Sequence, residues 1–65
     1  MNWDRIEGDW KQMAGKVKQK WGNLTDDDMT KLSGKREELE GVLQSRYGYT
    51  KDQLKTEIDT WSSGL

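Results

Sequence analysis

Trp21-Gly22-Asn23-Leu24-Thr25-Asp26-Asp27-Asp28-Met29 carries a helix stop followed at once by a helix start. Trp21 is the last apolar residue of a periodic run. Gly22 then offers the residue type that reaches the left-handed conformation at a helix end without steric cost. Thr25 is placed as an N-cap, and Asp28, three residues on, completes a capping box by accepting from the Thr25 backbone N–H. Leu24 and Met29 flank the cap at the hydrophobic-staple positions. The three aspartates of the first turn face the positive end of the helix dipole.

The device recurs. In Tyr47-Gly48-Tyr49-Thr50-Lys51-Asp52-Gln53-Leu54, Tyr47 closes, Gly48 turns, Thr50 caps with Gln53 in the box, and Tyr49 and Leu54 form the staple. Upstream, Met13-Ala14-Gly15-Lys16-Val17-Lys18-Gln19-Lys20-Trp21-Gly22 aligns without a gap on Leu39-Glu40-Gly41-Val42-Leu43-Gln44-Ser45-Arg46-Tyr47-Gly48. We read an approximate internal duplication of a helix-turn-helix unit. The competing explanation, that any two amphipathic helices ending in glycine look alike, does not account for the matching interior glycines, Gly15 and Gly41.

Working outward, Asn2 caps a first helix from Trp3 or Asp4 to Trp21. Its stripe is Trp3, Ile6, Trp10, Met13, Val17 and Trp21, at steps of three or four, with Gly8 and Gly15 inside it. A second helix starts at Thr25 and uses Met29 and Leu32. Continued to Tyr47 it would be ~33 Å long, so a break is expected at Ser33-Gly34. A third helix, Lys35 to Tyr47, buries Leu39, Val42, Leu43 and Tyr47. A fourth, Lys51 to about Ser62, buries Leu54, Ile58 and Trp61, and 62–65 form a frayed tail. No strand alternation is present, so the fold is all-α, a compact array of four short helices in one domain, 1–65. Gly15 and Gly41 are expected either to let helices cross closely or to be tolerated on a helix surface at about 1 kcal/mol each.

With 65 residues, such a domain buries only ~60% of its unfolded surface. Its core supplies ~3–5 kcal/mol. Charged residues make up 35% and hydrophobic residues 31%, and mean hydropathy is −1.16. Cysteine and histidine are both absent, which removes disulfides, thiolate chemistry, the usual general base and the usual zinc ligand. The charged N-terminus has no apolar signal segment, and no run approaches the ~20 apolar residues that span a membrane. A soluble cytoplasmic protein is expected. The net charge of −1 gives no global attraction to nucleic acid or anionic lipid.

Candidate chemistry is sparse. Ser62 and Ser63 lack a base and a nucleophile-elbow pattern. The carboxylates of Asp26-Asp27-Asp28 and Glu37-Glu38-Glu40 need a cleft to split their pKa values, and so small a core offers none. The aspartate run reads as a cap and solvated face, without the alternating ligands of a calcium loop. Residues 10–25 hold four lysines, Lys11, Lys16, Lys18 and Lys20, and no acid. With Trp10 at 0°, Lys11 and Lys18 fall at about 80–100° and Lys16 and Lys20 at about 240–280°. They flank the apolar stripe on both sides, as snorkelling lysines do, and form no single phosphate-binding face. The Trp-bearing stripe could instead lie on a membrane surface, but Trp10 and Trp21 are expected in the core. No catalytic, cofactor-binding or metal-ligating residue is assigned. A monomer without a stable nucleic-acid or membrane partner is expected.

Trp10-Lys11-Gln12, Gly15-Lys16-Val17-Lys18, the 21–28 stretch, Gly34-Lys35-Arg36, Leu39-Glu40-Gly41 and Arg46-Tyr47-Gly48-Tyr49, in this order and spacing, resemble the CsbD-like family of small bacterial stress-response proteins over nearly the whole chain. The resemblance implies two helical hairpins in a SAM-domain-like arrangement, production under general stress and no assigned activity. It carries no functional residues across, and likeness to SAM domains does not transfer their partner binding. Two functions follow as expectations: a non-enzymatic, hydrophilin-type protectant, or a module that docks a protein or an anionic surface through its first helix. An enzyme is disfavoured because the residue types catalysis relies on are missing.

Overall fold

Residues 2–65 are described here from a computed structural model. Five helices follow one another: α1 (Trp3–Gly8), α2 (Trp10–Lys20), α3 (Asp26–Thr30), α4 (Arg36–Tyr47) and α5 (Lys51–Ser63). No strand occurs among the described residues. The Cα radius of gyration is 10.7 Å, against about 11 Å for a compact chain of this length.

The caps read from the sequence are made. Asn2 Oδ1 accepts from the Arg5 N–H at 3.0 Å. Thr25 and Asp28 exchange both bonds of the capping box, at 3.0 and 3.1 Å. Thr50 and Gln53 repeat the exchange at 2.9 and 3.2 Å. Gly48 takes the left-handed conformation (φ 67°, ψ 28°) and its N–H returns to the Gln44 carbonyl. The break at Ser33-Gly34 is present, with Gly34 at φ 102°.

Three details depart from expectation, and a fourth decides between two. The first helix is interrupted at Asp9 (φ −104°, ψ 28°), so the described residues form five helical segments and not four. Gly8 and Asp9 are both weak helix formers, and the turn after α3 lands at this junction. There the Trp10 Nε1–H donates to the Leu32 carbonyl at 3.1 Å. Gly22 is not left-handed; Trp21 itself leaves helical geometry (φ −117°, ψ 79°), and the Leu24 N–H donates back to its carbonyl. Gly15 and Gly41 allow no close crossing, because a Cβ at either would meet nothing within 4 Å. The close approach is at Gly34, where a Cβ would stand 2.9 Å from Glu7 Cα and 3.2 Å from Trp10 Cβ. Finally, the chain end is not frayed through 62–63: α5 runs to Ser63, and Ser62 is buried.

Val17, Trp21, Leu24, Leu32, Leu39, Leu43, Leu54 and Ile58 form one packed core, and Ile6 and Met13 are also buried. Every helix except the five-residue α3 contributes a buried apolar side chain. Trp3, Trp10, Met29, Val42, Tyr47 and Trp61 were also read as facing inward; they are half-buried and pack against the core's edge. Trp21 is the buried tryptophan, 2% exposed, and its ring meets Trp61 at 5.4 Å.

Candidate functional site

The charged residues sort into those tied into the fold and those left free. Asp28 is the buried carboxylate, and it was read as part of a solvated face. It is 4% exposed because α3 turns it inward toward α4. There Arg46 grips it with two donors, Nε at 2.6 Å and Nη2 at 3.1 Å, while the Thr25 N–H supplies a third at 3.0 Å. These hydrogen bonds, Arg46 first, hold its pKa down at about 2. A carboxylate held ionised this far below neutral pH is a weak base for a substrate proton.

Lysines of α2 are partly neutralised. Lys18 pairs with Asp26 and Lys20 reaches Glu57 at 3.5 Å. Lys11 and Lys16 are exposed and make no ion pair among the described residues. On the far side, Arg36 lies over the Trp3 ring at 6.0 Å and between Asp59 at 2.7 Å and Glu40 at 3.6 Å. Lys55 also bonds Asp59 at 2.9 Å, and the two cations depress the Asp59 pKa. The Ser33 N–H and hydroxyl donate to Glu38 Oε1 and lower that carboxyl as well.

Surface concavities are shallow grooves. One of about 240 Å³ is lined by Tyr49, Asp52, Gln53, Thr56 and Glu57. Another runs between Trp3 and the start of α4, past Glu7 and Lys35. A third lies over Gly41 and Val42. Among the described residues, no group of three or more potential metal ligands converges. No helix is long and apolar enough to cross a membrane.

Residues 4–56 match the CsbD-like family. The chain belongs to that family. It is 59% identical over 61 residues to the UPF0337 protein YjbJ of Escherichia coli O6:H1, covering 94% of this chain and 88% of the relative. Identity to the UPF0337 protein YjbJ of Escherichia coli (strain K12) is 56% over 63 residues, covering 97% and 91%. A UPF0337 protein of Rhodopseudomonas palustris is 55% identical over 65 residues, covering 100% and 98%.

In this CsbD-like chain, the two aligned segments make reciprocal contacts. Lys20, at the end of α2, meets Glu57 on α5; Arg46, at the aligned position near the end of α4, meets Asp28 on α3. Trp21 packs on Trp61 of α5, and the aligned Tyr47 accepts the Asn23 N–H on its hydroxyl at 3.2 Å. Each half therefore ties its first helix to the other half. Sequence reading found the caps because they are local. It missed the Asp28–Arg46 and Arg36–Asp59 pairs, whose members are 18 and 23 residues apart. The alignment of Lys20 with Arg46 was the one available signal.

Proposed function

We propose that the chain is a non-enzymatic stress-response protein that acts as a hydrophilin-type protectant. It works in the cytoplasm as a monomer, keeping a charged, hydrated surface around other proteins during water loss. Its architecture, on this reading, is two helical hairpins in a SAM-domain-like arrangement, with α1 and α2 serving as one bent arm. The observation that carries the reading is how the polar groups are used. Among the described residues the buried carboxylate is locked by Arg46 and by the cap, and the remaining ionic groups stand at the surface. That distribution supports hydration and offers no acid, base or nucleophile a cleft.

The test is drying a desiccation-sensitive enzyme with increasing molar excess of the protein. Retained activity should exceed that given by an equal mass of serum albumin and should not saturate near equimolar protein. Protection no better than albumin rejects the reading.

A second reading, a module docking a protein or an anionic surface through α2, is favoured by the unpaired Lys11 and Lys16. It requires localised, saturable amide shifts at those residues on titration with anionic vesicles, DNA or stressed-cell lysate. Shifts absent from α2 in all three titrations reject it.

A further inference from the structure

The groove beside the second cap has a filled counterpart elsewhere in the same molecule. At the filled site, the Arg36 guanidinium lies 6.0 Å from the centre of the Trp3 ring and is held by two carboxylates, Asp59 and Glu40. The groove assembles the same kinds of group, an aromatic wall and two carboxylates, of which Asp52 has no cation among the described residues. Tyr49 forms one wall. Tyr47 stacks on it nearly parallel, with centroids 5.1 Å apart and planes 10° apart, so the ring is held in place from one side. Asp52 and Glu57 line the same groove from α5, with Gln53 and Thr56 between them. These four lie within one side of the helix, at steps of one, three and one. Asp52 makes no ion pair or side-chain hydrogen bond among the described residues. Glu57 already attracts a cation, the Lys20 ammonium, at 3.5 Å.

We infer that this groove is a docking site for a guanidinium, the side chain of an arginine exposed on a partner polypeptide. A planar guanidinium matches an aromatic wall by stacking and a carboxylate by paired N–H donors, and an ammonium matches only the charge. The Gln53 side chain, whose Oε1 is committed to the Thr50 N–H, helps to define the groove's floor and adds no charge. Binding is weak, on the order of millimolar for one side chain, because the groups are solvent-exposed. The inference is independent of the protectant reading: the groove either prefers guanidinium or does not, whatever the chain does during drying.

The test titrates the ¹⁵N-labelled full chain with the blocked tripeptide Gly-Arg-Gly, and separately with its lysine and citrulline counterparts. Saturable shifts are expected at Tyr49, Asp52, Gln53, Thr56 and Glu57, weaker ones with lysine and none with the neutral citrulline. Asp52→Asn, at an exposed position, should weaken arginine binding about fivefold with unchanged circular dichroism. Tyr49→Leu should remove the preference of arginine over lysine. The inference is overturned if citrulline binds as well as arginine. It is also overturned if shifts spread equally over unrelated acids such as Asp4 and Glu37, or if Asp52→Asn binds as the parent does.

Discussion

Single residues show most clearly where local chemistry is overruled by packing. Asp28 satisfies two demands at once, closing the box on Thr25 and answering Arg46. Folding lowers its pKa from the usual 3.8 to about 2. Between those values the unfolded chain binds more protons than the folded one, so the stability this group confers is complete above about pH 4 and drains away toward pH 2. Asp26, Glu38 and Asp59, also lowered, add to the same fall. Thermal midpoints measured across this range should drop steadily, and Asp28→Asn should lower the midpoint at pH 7 and flatten the drop. An Asp28→Asn protein with unaltered pH dependence would show that the carboxylate is not held this way. The glycines make a second contrast. Gly15→Ala and Gly41→Ala should each stabilise by up to about 1 kcal/mol, since the added methyl meets open space and alanine is the better helix former. Gly34→Ala should destabilise, because φ is 102° and Glu7 Cα stands in the way. Denaturant melts of the three variants check both signs. The residues alone left two roles open for Gly15 and Gly41, and the structure selects surface tolerance; they marked Gly34 as a break but not as the point of close approach.

Elements are where the sequence was most legible. Both Thr caps, the left-handed Gly48 and the break before α4 rest on interactions spanning three to five residues, and local patterns encode such interactions directly. Thr25→Ala and Thr50→Ala should each cost about 1 kcal/mol, measured by urea denaturation; a cost near zero at both would mean that the capping boxes do not form in solution. The interruption at Asp9 was not legible in the same way. Hydrogen bonds bridge it, from the Asp9 N–H to the Arg5 carbonyl and from the Met13 N–H to the Asp9 carbonyl, both 2.9 Å. The apolar steps therefore run through it without a missed beat. What bends the chain there is the approach of Leu32 and Gly34 from a distant turn, and no local window contains that contact. Gly22 is the converse case: it has the right residue type for a left-handed end, yet the chain turns one residue earlier, at Trp21, and nothing in the structure requires glycine at 22.

At the scale of the whole molecule, helices from both ends of the chain share one small core. A domain this size draws only ~3–5 kcal/mol from such a core. Truncating one central side chain is worth about 2–5 kcal/mol, so Ile58→Ala, fully buried in the parent, should leave the chain largely unfolded at 25 °C by circular dichroism. The apolar cluster draws on α2, α4 and α5 together, so neither aligned segment buries its own apolar face alone; the ties from Lys20 to Glu57 and from Arg46 to Asp28 add little to that. Function was less legible than fold for a physical reason: the surface charges, ion-paired or free, line only shallow grooves, and no sequence motif marks those. Amide hydrogen exchange tests the shared core most directly. If the halves are one cooperative unit, the slowest amides of α2, α4 and α5 will be protected by about the same factor and will lose protection together as urea is added. If α2 exchanges freely while α4 and α5 stay protected, the halves do not share a core and this account is wrong.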